Sequence, residues 1–262
     1  MKSETVITSL QNPLIREWRT LNRSRAERMR QGLFLAEGEH MAGEALRAGQ
    51  AKALLMDANA RDKYAALCGV MPDIPLYLLS GHVMQALCDA KTPQGVAALC
   101  PCPLPTGKPV PGDLLVALDG VQDPGNVGTV LRTMDAAGYN GLLADEKTAD
   151  VYSPKTLRAS MGSVFRVPVY RCNDLPARLE ALSKDGYEII AGDLRGEPFY
   201  QRPKARRKKC IVIGNEGAGI SLAVLDTATM RLKLPMVGGA ESLNAAVAGA
   251  VMMYDFLRES ME

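Results

Sequence analysis

Three loops concentrate the residues able to do chemistry, and each follows a short apolar run. The first, "LDGVQDPGNVGTVLR" (118–132), carries glycines at 120, 125 and 128 with Asp123, Asn126 and Arg132 among them. Its glycines invite a phosphate-cradle reading, but their order is G-x-x-x-x-G-x-x-G. A dinucleotide turn needs G-x-G-x-x-G directly after the strand, so that backbone amides meet the pyrophosphate. No Gly-Lys-Ser/Thr follows either, and Asp123 would repel a phosphate, so the roles of Asn126 and Arg132 stay open at this point. The second loop, "IVIGNEGAGIS" (211–221), places Gly214, Glu216, Gly217 and Gly219 after a buried-looking strand, where glycine lets backbone approach a ligand closely. The third, "LPMVGGAESLNAAVAGA" (234–250), turns at Gly238 and Gly239 and opens a long Ala-rich helix. Ser242 is placed there as an N-cap, and on its own this loop reads as a capped helix.

The elements that would position these loops follow from the hydrophobic pattern. Beyond residue 112, apolar runs at 114–119, 141–144, 167–170, 188–193, 210–214 and 231–235 alternate with helical stretches near 127–137, 154–161, 174–185, 220–226 and 243–258. Short apolar strands separated by helices predict a parallel sheet buried on both faces, with ligands beyond the carboxyl ends of its strands. The proline-rich stretch "PCPLPTGKPVPG" (101–112) excludes both helix and central strand, and marks a linker. Before it, strands at 33–36, 53–56, 76–79 and 96–99 and helices near 40–48, 60–68 and 81–88 predict a small α/β domain over residues 1–100, leaving 113–262 as the second domain.

The chain has 262 residues, 47% hydrophobic and 23% charged, with a net charge of +2. That composition is one of a water-soluble globular protein, with no apolar run long enough to span a bilayer and no signal-like start, so a cytoplasmic location is expected. Six scattered cysteines and two histidines (His40, His82) complete no zinc spacing and leave histidine-based catalysis few parts; no metal is expected. The cations are clustered. Arg16, Arg19, Arg23, Arg25, Arg28 and Arg30 share one helical segment with Trp18, and "RPKARRKK" (202–209) puts six cations in eight positions. Two such clusters in a nearly neutral protein are the footprint of a polyanion partner, against the plain alternative of solvated surfaces.

Taken together, "DPGNVGTVLR", "IGNEGAGIS" and "LPMVGGAESLNAAVAGA" resemble, in order and spacing, the three motifs of the SpoU/TrmH family of RNA ribose 2′-O-methyltransferases, of the SPOUT superfamily. The likeness covers 113–258, and "SLQNPLIREWRTL", "FLAEGEH" and "KTPQGVAAL" resemble the family's N-terminal substrate-binding domain. Met134, where a smaller residue is usual, is a mild departure. The resemblance implies an α/β C-terminal domain with a parallel sheet and a deep trefoil knot, which periodicity alone cannot show. It implies S-adenosyl-L-methionine held at Gly214, Leu234 and Leu243, with Gly192, Met236 and Glu216 as neighbours, apolar side chains covering the adenine while main-chain groups read its edge.

The implied reaction is methyl transfer to a ribose 2′-oxygen, with Arg132 either the proton acceptor or the cation that stabilises the alkoxide. Asn126 would shape the substrate end, and Glu216, Ser242 and Asn244 would organise the loops and orient Arg132 through hydrogen bonds. The resemblance also implies a homodimer through the knotted domain, with RNA brought by the N-terminal arginines Arg16, Arg19, Arg23, Arg25 and Arg28. Structured RNA, most of all 23S ribosomal RNA, is the expected substrate. Transfer RNA is the alternative target, and a catalytically idle RNA-binding or ribosome-assembly protein of the same fold is the rival class. A nicotinamide-dependent dehydrogenase is disfavoured by the glycine spacing.

Overall fold

The structure is a computed structural model that describes residues 6–103 and 112–261. Most of the proline-rich stretch falls outside the described residues. Contacts divide the chain into two compact units, Met1–Leu104 with Tyr152–Phe165, and Pro105–Val151 with Arg166–Glu262.

The first unit holds a four-stranded mixed sheet of β1 (Leu33–Glu37), β2 (Ala53–Asp57), β3 (Leu76–Leu79) and β4 (Val96–Pro101), in the order β1-β4-β2-β3. Its helices are α1 (Pro13–Trp18), α2 (Arg25–Gln31), α3 (Glu39–Arg47), the single turn α4 (Ala65–Cys68) and α5 (Gly81–Leu87). The predicted helix near 60–68 is therefore mostly turn. Asp57 caps a 3-10 turn at Ala58–Ala60 by accepting from the Asn59 N–H at 2.9 Å, and Asn59, Arg61 and Asp62 bring no apolar stripe that would extend it. Residues 152–165, assigned to the second domain by sequence pattern, pack in this first unit through α7 (Pro154–Ser160). Tyr152 and Phe165 lie against Phe34, with ring centroids 4.8 and 6.0 Å away.

The second unit is a six-stranded, all-parallel sheet in the order β10-β8-β9-β5-β6-β7. Its strands are β5 (Leu114–Asp119), β6 (Gly141–Asp145), β7 (Val169–Cys172), β8 (Glu188–Pro198), β9 (Lys209–Gly214) and β10 (Met230–Lys233), with helices α6 (Pro124–Ala136), α8 (Leu175–Lys184), α9 (Leu222–Leu225) and α10 (Ala245–Met261). β5 and β9 form the centre, and Leu115, Val116, Ala117 and Leu118 are fully buried, as strands covered on both faces must be. β7 begins two residues later than its sequence pattern predicts. Pro168 has no N–H to give, and contributes only its carbonyl, to the Leu142 N–H at 2.9 Å.

Two features of this sheet make room for a site. After β5 the chain moves outward to β6 and β7, and after β9 it moves the other way to β10, so the strand order reverses between the two central strands, where open parallel sheets bind ligands. In addition, β8 leaves its pairing with β9 after Ala191↔Val212, and its register with β10 jumps from Ala191 to Glu197. The residues between form an excursion at the carboxyl edge. It folds back because residue 196 is glycine: a Cβ there would lie 2.4 Å from the Arg231 backbone.

Candidate active site

All three chemistry-bearing loops meet at the carboxyl edge of this sheet. α6 starts in the first loop, with Pro124 at its first turn and the Asp123 carboxylate accepting from the Gly125 N–H, the arrangement in which proline's missing donor costs nothing. The second loop leaves β9 at Gly214 and doubles back at once. A Cβ at Gly214 would sit 2.4 Å from the Gly219 carbonyl carbon and 2.5 Å from the Ile220 nitrogen, so only glycine fits. Asn215 then holds the hairpin-like turn: its Oδ1 accepts from the Gly217 and Ala218 N–H groups at 3.0 and 2.9 Å, and its Nδ2 donates to the Gly120 carbonyl at 2.8 Å. Asp119 ties the first loop to the same turn, accepting from the Ser221 N–H at 2.6 Å.

Glu216 is the hub. Its Oε1 accepts from the Asn126 amide at 2.8 Å and the Asp123 N–H at 3.1 Å, and its Oε2 from the Gln122 N–H at 3.1 Å. Partial burial acts against its charge, but these donors outweigh it and hold the carboxyl below its usual range. Asn126 passes the connection on, accepting from the Asn244 Nδ2 at 2.9 Å. Asn244 in turn caps α10, its Oδ1 accepting from the Ala246 and Val247 N–H groups at 2.9 and 3.2 Å. The cap is thus Asn244, not Ser242: the helix begins at Ala245, and Ser242 lies two residues too early to reach its free N–H groups.

These contacts form a continuous chain, Glu216 to Asn126 to Asn244, that locks the three loops together. Beside it lies a cavity of about 640 Å³, within the range that suits a nucleoside-sized ligand. Gly192, Gly214, Leu234, Met236 and Leu243, the positions that the family resemblance implies for the cofactor, all line it, with Glu216 and Ser242. Val212, Ile213, Leu232 and Met252 supply further apolar wall, while the turn around Gly214 and the loop beyond Leu234 present main-chain edges. The excursion of β8 adds Asp193, where a carboxyl-end loop is expected to start, and Arg195, which no sequence signal marks. Burial opposes the Asp193 charge, yet its Oδ1 accepts from the Arg195 N–H at 3.1 Å and meets the Arg195 guanidinium at 3.3 Å, and its carboxyl is held below the usual range.

Arg132 stands apart. It is exposed on α6, does not line the cavity, and has no hydrogen-bond or ion-pair partner among the described residues. Six residues along a helix leave it about 120° around the axis from Asn126. Within one chain, Glu216, Ser242 and Asn244 make no hydrogen bond to Arg132 among the described residues. Glu216 and Asn244 are committed to Asn126 and to loop backbone, and Ser242 makes no hydrogen bond with a described residue.

The N-terminal arginines also separate. Arg16 and Arg23 are exposed and Arg19 half-buried around shallow hollows shared with Thr20 and Glu27, where α1 turns into α2, while Arg25, also half-buried, lines neither hollow. Arg28 is the exception to the expected RNA-binding set: it is 4% exposed and donates to the Leu21 carbonyl inside the unit. Trp18 is equally buried, edge-on to Tyr77 at 5.2 Å, and serves as the anchor of α1 rather than a stacking platform. In the second basic run, Arg202 and Lys209 face inward.

Comparison with known proteins matches this geometry to a family. The profile of the SpoU rRNA Methylase family fits residues 113–254, and that of the MRM3-like substrate binding domain fits residues 12–98. The chain is 36% identical over 249 residues to the 23S rRNA (guanosine(2553)-2'-O)-methyltransferase RlmP of Bacillus subtilis, covering 95% of this chain and 97% of that one. Among solved structures, the SpoU methyltransferase AviRb of Streptomyces viridochromogenes in complex with AdoMet superposes with a TM-score of 0.86 at 28% identity, over 96% of this chain and 99% of that one. An AdoMet-bound rRNA methyltransferase of Sinorhizobium meliloti does so with a TM-score of 0.83 at 29% identity, over 97% of each. The matched span contains all three loops, of which the second and third line the cavity and the first is hydrogen-bonded to both, and the match runs through both units: the chain belongs to the SpoU rRNA methylase family.

Proposed function

We infer that the protein transfers a methyl group from S-adenosyl-L-methionine to a ribose 2′-hydroxyl of 23S ribosomal RNA. The observation that carries the reading is the cavity itself: Gly214 of the second motif, Leu234, Met236 and Leu243 of the third and Gly192 on β8 converge on it, beside the Glu216–Asn126–Asn244 chain that ties in the first motif. Its apolar walls, Leu234, Leu243, Met236 and Met252, fit the faces of an adenine, and the backbone around Gly214 and Leu234 fits its polar edge. When bound there, the cofactor supplies a methyl on a positively charged sulfur, so the 2′-oxygen gains a carbon bond as the carbon–sulfur bond breaks, and the hydroxyl proton leaves to water.

The residues of this chain supply positioning and charge. Asn126, fixed from both sides by Glu216 and Asn244, holds the first loop where the ribose must sit, and orientation of this kind lowers the barrier substantially. Arg132 provides the cation that stabilises the developing alkoxide, because a guanidinium holds its proton in ordinary surroundings and is a poor base. Its exposure and the lack of a side-chain partner among the described residues fit a role in a neighbouring site. We take the protein to be a homodimer in which Arg132 of one subunit serves the cavity of the other. The exposed apolar residues Val247, Tyr254 and Met261 along α10 support such an interface. Within the same reading, the C-terminal unit is a deep trefoil knot and the protein works in the cytoplasm. No helix among the described residues is long and apolar enough to cross a membrane.

Arg16, Arg19 and Arg23 in the first unit are the proposed RNA contacts, while Arg28 is spent on structure. The presence of this additional unit favours ribosomal over transfer RNA. The test is a map of 2′-O-methylation in total RNA from cells with and without the gene. One 23S position losing its methyl group supports the reading; a change confined to transfer RNA redirects it, and an unchanged map refutes it.

A further inference from the structure

The sequence contains a second concentration of cations, at 202–209, which the proposed cavity does not use. In the structure this run is the connection from β8 to β9, and its six cations divide into two groups. Arg202 and Lys209 are internal. The Arg202 guanidinium lies between the Phe199 and Phe256 rings, 4.2 and 4.3 Å from their centroids, donates to the Phe199 carbonyl at 2.8 Å, and pairs with Asp255 at 2.7 Å. Lys209 is 4% exposed with its ammonium 5.1 Å from the Phe256 ring. These two anchors pin both ends of the connection.

Between them Lys204, Arg206, Arg207 and Lys208 are all exposed. Lys204 and the Arg206 guanidinium have no acidic partner among the described residues. The Arg206 backbone is nevertheless held, its N–H donating to Glu188 at 2.9 Å. Arg207 pairs with Asp113 at 2.7 Å but is 90% exposed, where such a pair contributes little and is readily exchanged. Tyr200, 59% exposed, adds an accessible ring at the start of the same connection.

We propose that this turn is a second RNA-contact surface, on the methyltransferase unit itself, that takes the phosphodiester backbone of the substrate away from the target nucleotide. The proposal rests on RNA being the substrate. Its placement defines its job. Lys209 and Gly214 are the two ends of β9, so the turn sits about 17 Å along the strand from the cavity edge. Side chains there cannot reach the reacting ribose, but a folded RNA docked at the cavity continues well beyond one nucleotide. Four cations on an anchored backbone offer phosphate charge neutralisation without the ordering cost of a floppy tail.

The test uses the full chain and purified, protein-free 23S ribosomal RNA, with binding measured over a range of salt concentrations. The triple variant Lys204→Ala/Arg206→Ala/Arg207→Ala is compared with wild type, with Arg206→Lys/Arg207→Lys, and with Arg16→Ala/Arg23→Ala. The proposal expects the triple variant to bind at least about 10-fold more weakly, with the slope of log K against log salt reduced by about 2. S-adenosyl-L-methionine affinity and melting temperature stay unchanged, and the lysine variant keeps the wild-type slope. If the triple variant keeps both the affinity and the slope while Arg16→Ala/Arg23→Ala loses them, this surface is refuted and the RNA reading stands. If wild type itself binds no RNA, both fall.

Discussion

The Asn244 amide donates to the Asn126 amide oxygen at 2.9 Å across 118 residues of sequence, while the other end of each side chain is also engaged. Asn126 donates to Glu216, and Asn244 caps α10. Each asparagine therefore has its oxygen and nitrogen fixed by its partners, and the three loops cannot shift independently. Replacing Asn244 with alanine removes both the cap and the bridge. A lost N-cap alone costs about 1 kcal/mol, so thermal unfolding of the variant is expected at a lower temperature by a few degrees. Cofactor affinity, measured calorimetrically, should fall further than that stability loss explains, because Leu243 and Ser242 beside it line the cavity.

Gly214 and Gly238 separate two uses of glycine. A Cβ at Gly214 collides with backbone at 2.4 Å, whereas one at Gly238 meets nothing within 4 Å. Gly214→Ala is expected to destabilise by about 1–3 kcal/mol as the second loop is forced open, and to abolish cofactor binding. Gly238→Ala should be near neutral in a denaturant melt. Equal effects of the two substitutions would mean that the close approach at Gly214 does not shape the site.

Glu216 makes the loop junction sensitive to acid. Its carboxyl is held below the usual range in the folded protein, so its contribution is present above the unfolded-state value and is lost as pH falls through the folded one. Cofactor affinity is expected to be flat from neutrality down to the ordinary carboxylate range and to decline below it. Glu216→Gln cannot accept equally at both positions, so it should bind more weakly at neutral pH and show a smaller decline in acid. A titration in which wild type and variant run parallel would remove Glu216 from the junction.

Arg202 is expected to act on stability. Its side chain is 5% exposed between two aromatic rings and two carboxylates, Asp255 at 2.7 Å and Glu259 at 3.7 Å. Truncation to alanine removes the cation stacked between the rings and leaves two part-buried carboxylates, Asp255 keeping only Arg258 at 3.3 Å, a loss below the about 3–5 kcal/mol of a fully buried broken pair. Arg202→Lys should recover only part, since an ammonium cannot stack in the plane between the rings. Urea unfolding of the three proteins measures the order directly.

Much of this was legible in the sequence because it depended on short-range signals. Buried runs such as Leu114–Asp119 and the glycine-flanked loops located the ends of the parallel strands within one or two residues, except the carboxyl end of β8, which runs five residues past its expected end. The cavity-lining positions followed from the resemblance of the second and third motifs, and Gly192 on β8 from the same family pattern. The less legible features depend on where side chains turn in three dimensions. Arg28 and Arg202 sit in basic runs that look solvated, and only the fold shows that each points inward. The roles of Asn215 and Asp119 were not legible because their work is to bind loop backbone. The excursion of β8 that brings Asp193 and Arg195 to the cavity comes from a register jump against β10, a long-range pairing that no local pattern encodes.

The central claim is methyl transfer to a ribose hydroxyl with Arg132 acting on the reacting oxygen. Its most direct measurement incubates the protein with methyl-labelled S-adenosyl-L-methionine and protein-free 23S ribosomal RNA, then digests the RNA to nucleosides and identifies the labelled product by mass. Wild type should yield a single 2′-O-methylated nucleoside. Arg132→Ala should be slower by about 100-fold or more while binding the cofactor as wild type does, the loss expected when a transition-state charge partner is removed. Label on a base rather than a ribose, or an Arg132→Ala protein as fast as wild type, would contradict the account.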